Sequence, residues 1–114
     1  MDKVAAYKKI VRELVSEIAA MIPVEENGID NQLIIDDQHG HYLLFSVGWE
    51  GKQWYYASFA HIDVKPNGRV WLQHDGTDQR IGEQLVQRGI PKSDIVIGFQ
   101  PPYFREAMEG YAAA

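Results

Sequence analysis

WYYASFAHIDVKPNGRVWLQH, residues 54–74, places two apolar-rich runs on either side of Pro66-Asn67-Gly68. The first run, 54–64, is long and aromatic, and the second, 69–74, is shorter. Asn-Gly is a strong hairpin signal because both residues tolerate positive φ. The segment therefore predicts two antiparallel strands. With Asn67 and Gly68 as a two-residue turn, Pro66 faces Arg69 and His61 faces His74. Side chains alternate along a strand, so His61, Asp63 and His74 then share one face with Phe59, Val70 and Leu72. Ile62, Val64 and Trp71 take the other face. A three-residue loop would shift this register.

Upstream, 41–47 reads as another strand, with a turn around Gly51 leading into 54–64. Leu33-Ile34-Ile35 reads as a strand before the turn Asp37-Gln38-His39-Gly40, and 24–32 as a polar loop. At the start, Asp2 can cap a helix. Val4, Tyr7, Val11, Leu14, Ile18 and Met21 follow at spacings of three and four, and Pro23 ends the pattern. Ile10, Val15 and Ile22 widen the apolar side into a face suited to lying on a sheet. The same stripe has a heptad rhythm, so a coiled-coil homodimer is the other reading, although a coiled coil needs about three to four heptads.

Downstream, Thr77 can cap a second helix reaching Arg88, with Asp78 complementing its dipole. Ile81, Leu85 and Val86 form its buried side, Gly89 suits the C′ position and Pro91 blocks continuation. Ile95-Val96-Ile97 fits a short strand or one helical turn. Pro101-Pro102 argues against regular structure beyond it, with a last short helix over 103–110. The expected fold is a single α+β domain over 1–114. Its two layers are an antiparallel sheet of about four or five strands and the two helices packed on it, with no β-α-β alternation.

Composition limits the function classes. The chain has 114 residues, 46% hydrophobic and 24% charged, and no cysteine. Thiolate metal sites and disulfides are thereby excluded. No apolar run has the length of a membrane span, and the start lacks the basic–apolar–small pattern of a signal peptide, so a cytoplasmic protein is expected. Net charge is −5, and the 11 Lys and Arg residues are dispersed. Autonomous, non-specific nucleic-acid binding needs clustered cations, so it is not expected. Lys8, Lys9 and Arg12 form a small basic edge that Glu13 and Glu17 balance.

Catalytic constellations are also missing from the sequence. There is no nucleophile elbow and no Gly-rich phosphate loop. Asp36 and Asp37 are adjacent, and neighbouring strand residues point to opposite faces, so they do not converge on a metal. His61, Asp63 and His74 are the one set that can ligate a divalent ion. The competing reading is hydrogen-bonded structural histidines, and no metal or cofactor is expected. His39 and His41 flank a turn glycine and read as solvent-exposed. The aromatic surplus of Trp49, Trp54, Tyr55, Tyr56 and Phe59 exceeds what one face of a small sheet needs. Either a partner covers some of these residues or the sheet is buried on both sides.

Several segments, taken in order, resemble the XisI-type family, the fdxN-element excision controlling factors. They are His41-Tyr42 with Gly48-Trp49; His61-Ile62-Asp63; and Val70-Trp71-Leu72-Gln73 leading to Thr77. Leu85, Gly89-Ile90-Pro91-Lys92, Asp94-Ile95-Val96-Ile97-Gly98-Phe99 and Arg105 continue the series. Asp75 stands where the family pattern has asparagine, and the Ala-rich end after Tyr111 is atypical. The resemblance implies a cyanobacterial cytoplasmic accessory factor in programmed excision of a DNA element. It also implies a XisH-type partner and a separate site-specific recombinase that performs strand exchange. It carries no catalytic residues. The alternative from another class is a metal-dependent, nuclease-like enzyme using His61, Asp63 and His74.

Overall fold

The computed structural model describes residues 2–114. Asp2 has an extended backbone and its carboxylate accepts a hydrogen bond from the Val4 N–H at 3.0 Å, so it caps helix α1, Lys3–Ala20. Tyr7, Val11, Leu14 and Ile18 of the three-four series are buried, together with Val15 from the widened side. They pack with Tyr42, Leu44, Ala60, Ile62, Val64, Val70 and Leu72 of the sheet in one core. The stripe is thus consumed within the chain, and its coiled-coil reading does not hold. Met21 departs from it and is exposed.

One sheet carries six strands in the order β1 (Glu25–Glu26), β2 (Ile29–Asp36), β3 (His41–Glu50), β4 (Gln53–Val64), β5 (Val70–Asp75) and β6 (Ile95–Ile97). The expectation of four or five antiparallel strands needs two corrections. First, 24–32 is mostly not loop. Asn27 and Gly28 both have positive φ, 54° and 86°, and turn β1 back onto β2. The flanking Glu25, Glu26, Asp30, Asn31 and Gln32 are polar because this end of the sheet meets water, and that polarity hides the strand pattern. Second, β6 runs parallel to β5. Helix α2, Ile81–Gln87, crosses between them, so a single β-α-β unit closes an otherwise antiparallel sheet.

α2 begins three residues later than a Thr77 cap suggests, with Arg80 at the cap position and Ile81 the first helical residue. The Asp75 carboxylate accepts from the Thr77 N–H and hydroxyl and from the Ile81 N–H, so it holds the turn and the first helical amide together. Residue 75 therefore acts through a side-chain acceptor at the last position of β5. The helix stops as expected, with Gly89 at φ 110° and the Ile90 N–H bonded to the Leu85 carbonyl. Pro102 starts the one-turn helix α3, Pro102–Arg105, instead of preventing it, because a proline at the first helical position loses no intrahelical bond. Ile95, Val96 and Ile97 are all buried. Among the described residues no helix is long and apolar enough to cross a membrane.

Candidate functional site

The β4–β5 hairpin sets the register of the polar cluster, and it does so through two irregularities. The turn has three residues, Pro66, Asn67 and Gly68: the Lys65 N–H bonds to the Arg69 carbonyl and the Gly68 N–H to the Lys65 carbonyl. Gly68 alone takes positive φ there, while Asn67 does not. Val64 consequently pairs with Val70, Asp63 with Trp71 and Ile62 with Leu72. Val70 and Leu72 therefore join Ile62 and Val64 in the core, and Trp71 joins Asp63 on the opposite face, the reverse of the two-residue-turn expectation. A bulge between Ile62 and His61 then absorbs Gln73 and restores His61 opposite His74.

The bulge breaks up the expected triad all the same. His74 is exposed and makes no hydrogen bond to His61 or Asp63, whereas Gln73 reaches Asp63 Oδ2 with its Nε2 at 3.2 Å. The third member comes from β3. His41 pairs directly with Asp63, and its Nδ1 lies 2.8 Å from Asp63 Oδ1. His61 Nε2 lies 2.8 Å from the same oxygen. Both imidazoles therefore donate to one carboxylate oxygen, and the donor atoms of His41, His61 and Asp63 all lie within 4.8 Å of one another. Sequence reasoning set His41 aside because Gly40 beside it reads as an exposed turn. The overlooked signal was alternation, since His41 begins the strand that neighbours 54–64.

Asp63 is a buried carboxylate, 6% exposed. Burial alone would raise its pKa, but the hydrogen bonds from His41, His61 and Gln73 together outweigh that and hold it below the usual aspartate value. Lys65 Nζ stands 4.0 Å from Oδ2. One oxygen thus serves the imidazoles and the other serves Gln73 and Lys65.

Next to this cluster the face turned away from α1 becomes apolar. A second register shift, at Leu44/Phe45, keeps β3 and β4 paired out to Glu50 and Gln53. Strand alternation from His41 puts Leu43, Phe45, Val47 and Trp49 on the outer face. Ile34 pairs with Leu43, Tyr56 with Val47, and Trp54 with Trp49. Phe45 and Tyr56 meet edge-on at 4.7 Å, and the two indoles lie 5.4 Å apart. Trp49, Trp54 and Tyr56 remain 59%, 50% and 68% exposed. Of the two readings of the aromatic surplus, burial on both sides fails for this arm, because neither α1 nor α2 covers it.

Trp71, on the same outer side nearer β6, is covered by the Arg105 guanidinium 5.0 Å above its ring. The C-terminal segment therefore caps only the β5–β6 end of that face.

The arrangement of helix, long hairpin and late parallel strand recurs in solved proteins. A XisI-like protein from Anabaena variabilis is 36% identical, covers 97% of this chain and 99% of its own, and superposes with a TM-score of 0.88. The fdxN element excision controlling factor XisI from the same cyanobacterium is 28% identical over 99% of this chain and 100% of its own, with a TM-score of 0.89. No curated protein matches. The XisI protein family model matches residues 1–113, so the match takes in α1, the hairpin with its His41–Asp63–His61 cluster and the segment over Trp71, and the chain belongs to the XisI family.

Proposed function

We propose that this protein is a non-catalytic, cytoplasmic accessory factor that controls site-specific excision of a DNA element by binding protein, with a XisH-type protein as its direct partner and a separate recombinase performing strand exchange. The observation carrying this is the outer face of the β2–β4 arm. Ile34, Trp49, Trp54 and Tyr56 are all more than two-fifths exposed on one side of the sheet. Exposed apolar surface of this kind, rich in Trp and Tyr, is what a protein interface uses for its anchoring contacts. The family relationship supports the regulatory role, since a relative across the full chain is an excision controlling factor. The net charge of −5 disfavours gripping DNA directly and suits action through a partner.

Co-expression with a XisH-type protein, followed by size-exclusion chromatography, tests the reading. A stoichiometric complex is expected, lost in a Trp49→Ser, Tyr56→Ser double variant whose circular dichroism is unchanged. Failure to co-elute sinks the partner assignment, and a complex that survives the double variant sinks the assignment of the face.

A further inference from the structure

His41, His61 and Asp63 have a chemistry that protein docking does not use. We propose that they form a binding site for one divalent transition-metal ion of the zinc, nickel or cobalt class, held at the outer face where β3 and β4 meet. This inference stands apart from the partner assignment.

Three features carry it. The donor set is two imidazoles and one carboxylate, which suits borderline divalent ions and disfavours calcium or magnesium, whose sites are built from oxygen. The spacing fits: each imidazole nitrogen is 2.8 Å from Asp63 Oδ1. Metal bonds of roughly 2.1 Å to two atoms so separated enclose an angle of about 85°, near the cis angle of an octahedron. Access and support are also divided as a metal site needs. The His41 and His61 side chains are 48% and 30% exposed, so an ion and its remaining water ligands can reach them. Asp63 is instead fixed from behind, because Gln73 Nε2 donates to Oδ2 and leaves Oδ1 directed at the imidazoles. A carboxylate oriented by an outer amide is a recurring support for metal ligands.

The proton bookkeeping is simple. Without an ion, His41 Nδ1 and His61 Nε2 each present a hydrogen to Oδ1. A neutral imidazole moves that hydrogen to its other nitrogen when the first takes a metal, so no net proton is released by it. A protonated imidazole must lose one.

Calorimetric titration of tag-free, chelator-dialysed protein with zinc, nickel and cobalt chlorides tests the site, with the cobalt(II) visible spectrum reporting coordination number. One ion per chain is expected, with micromolar affinity and the weak absorption of six-coordinate cobalt. His41→Ala and His61→Ala each lower affinity by about 10-fold or more, while His74→Ala leaves it unchanged. His41 is half-exposed, so its variant folds and the comparison remains decisive. Absence of binding tighter than millimolar by all three ions overturns the proposal, as does binding indifferent to His41→Ala.

Discussion

Tyr7 and Asp94, 87 residues apart, are joined by a buried hydrogen bond from the phenol to the carboxylate. Arg69 Nη1 donates to the other oxygen of Asp94, Oδ1, at 2.8 Å, while Lys3 Nζ lies 3.4 Å from Oδ2, the oxygen that Tyr7 uses. One carboxylate at the entry to β6 therefore ties the first two turns of α1 to the start of β5. Burial, with the hydrogen bond to Asp94 adding to it, pushes the Tyr7 hydroxyl up to about 12, so it stays a donor at any pH where the protein works. Because the link spans 87 residues of sequence, its loss unfastens both ends. Asp94→Ala strands a buried phenol and a guanidinium. It is expected to lower stability by roughly 2–3 kcal/mol, against about 1 kcal/mol for Tyr7→Phe. Urea midpoints at constant slope measure both. Equal midpoints for wild type and Asp94→Ala would show that this carboxylate does not fasten α1 to β5.

The same carboxylate predicts the acid behaviour. The Tyr7 hydrogen bond, followed by Lys3 and the neighbouring Arg69 charge, holds Asp94 below its usual pKa. A depressed folded pKa means that the unfolded chain takes up the proton more readily. The stabilisation is therefore complete above the ordinary aspartate range and is lost as pH falls through the lower folded value. Asp63, depressed by His41, His61 and Gln73, behaves in the same direction. Stability measured from pH 7 down to about pH 2 is expected to fall less steeply in Asp94→Asn than in wild type. A parallel pair of curves would contradict the assignment.

What the sequence made legible, and what it did not, follows the range of the interactions involved. α1 was readable because its cap and its three-four spacing are local: four of its five buried positions lie on the expected stripe, and the fifth, Val15, is one of the residues expected to widen it. The Gly89 stop of α2 was readable for the same reason. The start of α2 was not, because Asp75 holds the Ile81 amide six residues away and Thr77 is the more obvious cap. At the candidate site, the pairing of His61 with His74 came out as expected only because a three-residue turn and a bulge at Gln73 offset each other. No local signal fixes a bulge. The swap of His74 for His41 therefore had to await the β3–β4 register.

Gly40 tests how tightly the β2–β3 turn is held against β4. It has φ 75°, and a Cβ there would lie 2.2 Å from the Val64 carbonyl oxygen, because the Val64 N–H bonds to the Gly40 carbonyl. Gly51, in the β3–β4 turn, has φ 60° but open space around it. Gly51→Ala is expected to cost about 1 kcal/mol from left-handed strain alone. Gly40→Ala adds a collision with main chain and is expected to cost clearly more. Thermal melts of the two variants order them, and a reversed order would show that β4 yields at Val64.

The Trp49–Trp54 pair reports on the arm itself. The rings are tilted by 53° at 5.4 Å, across directly opposed positions near the hairpin end. A double-mutant cycle with alanine is expected to give a coupling of about 0.5–1.5 kcal/mol. The coupling belongs to the free protein. A partner that covers the arm should therefore quench or shift the indole fluorescence without changing this value in the unbound state. A coupling near zero would mean that the arm's end is not ordered by its aromatics.

Arg105 presents a contest between two terms of similar size. Its guanidinium stacks on Trp71, a contact of roughly 0.5–2 kcal/mol when partly desolvated. Its Nε and Nη1 are nevertheless buried without a hydrogen-bond partner among the described residues, which costs about 1–3 kcal/mol. Methionine keeps a long, polarizable side chain over the indole and removes the stranded donors. Arg105→Met is therefore expected to be at least as stable as wild type. Arg105→Ala removes both terms and leaves stability nearly unchanged, but it uncovers Trp71 and loosens α3. The checks are a red shift of Trp71 emission in a Trp49→Phe, Trp54→Phe background and faster proteolysis near Pro102–Arg105. A marked loss of stability in Arg105→Met would show that the guanidinium nitrogens do find partners in solution, with the stacking secondary to them.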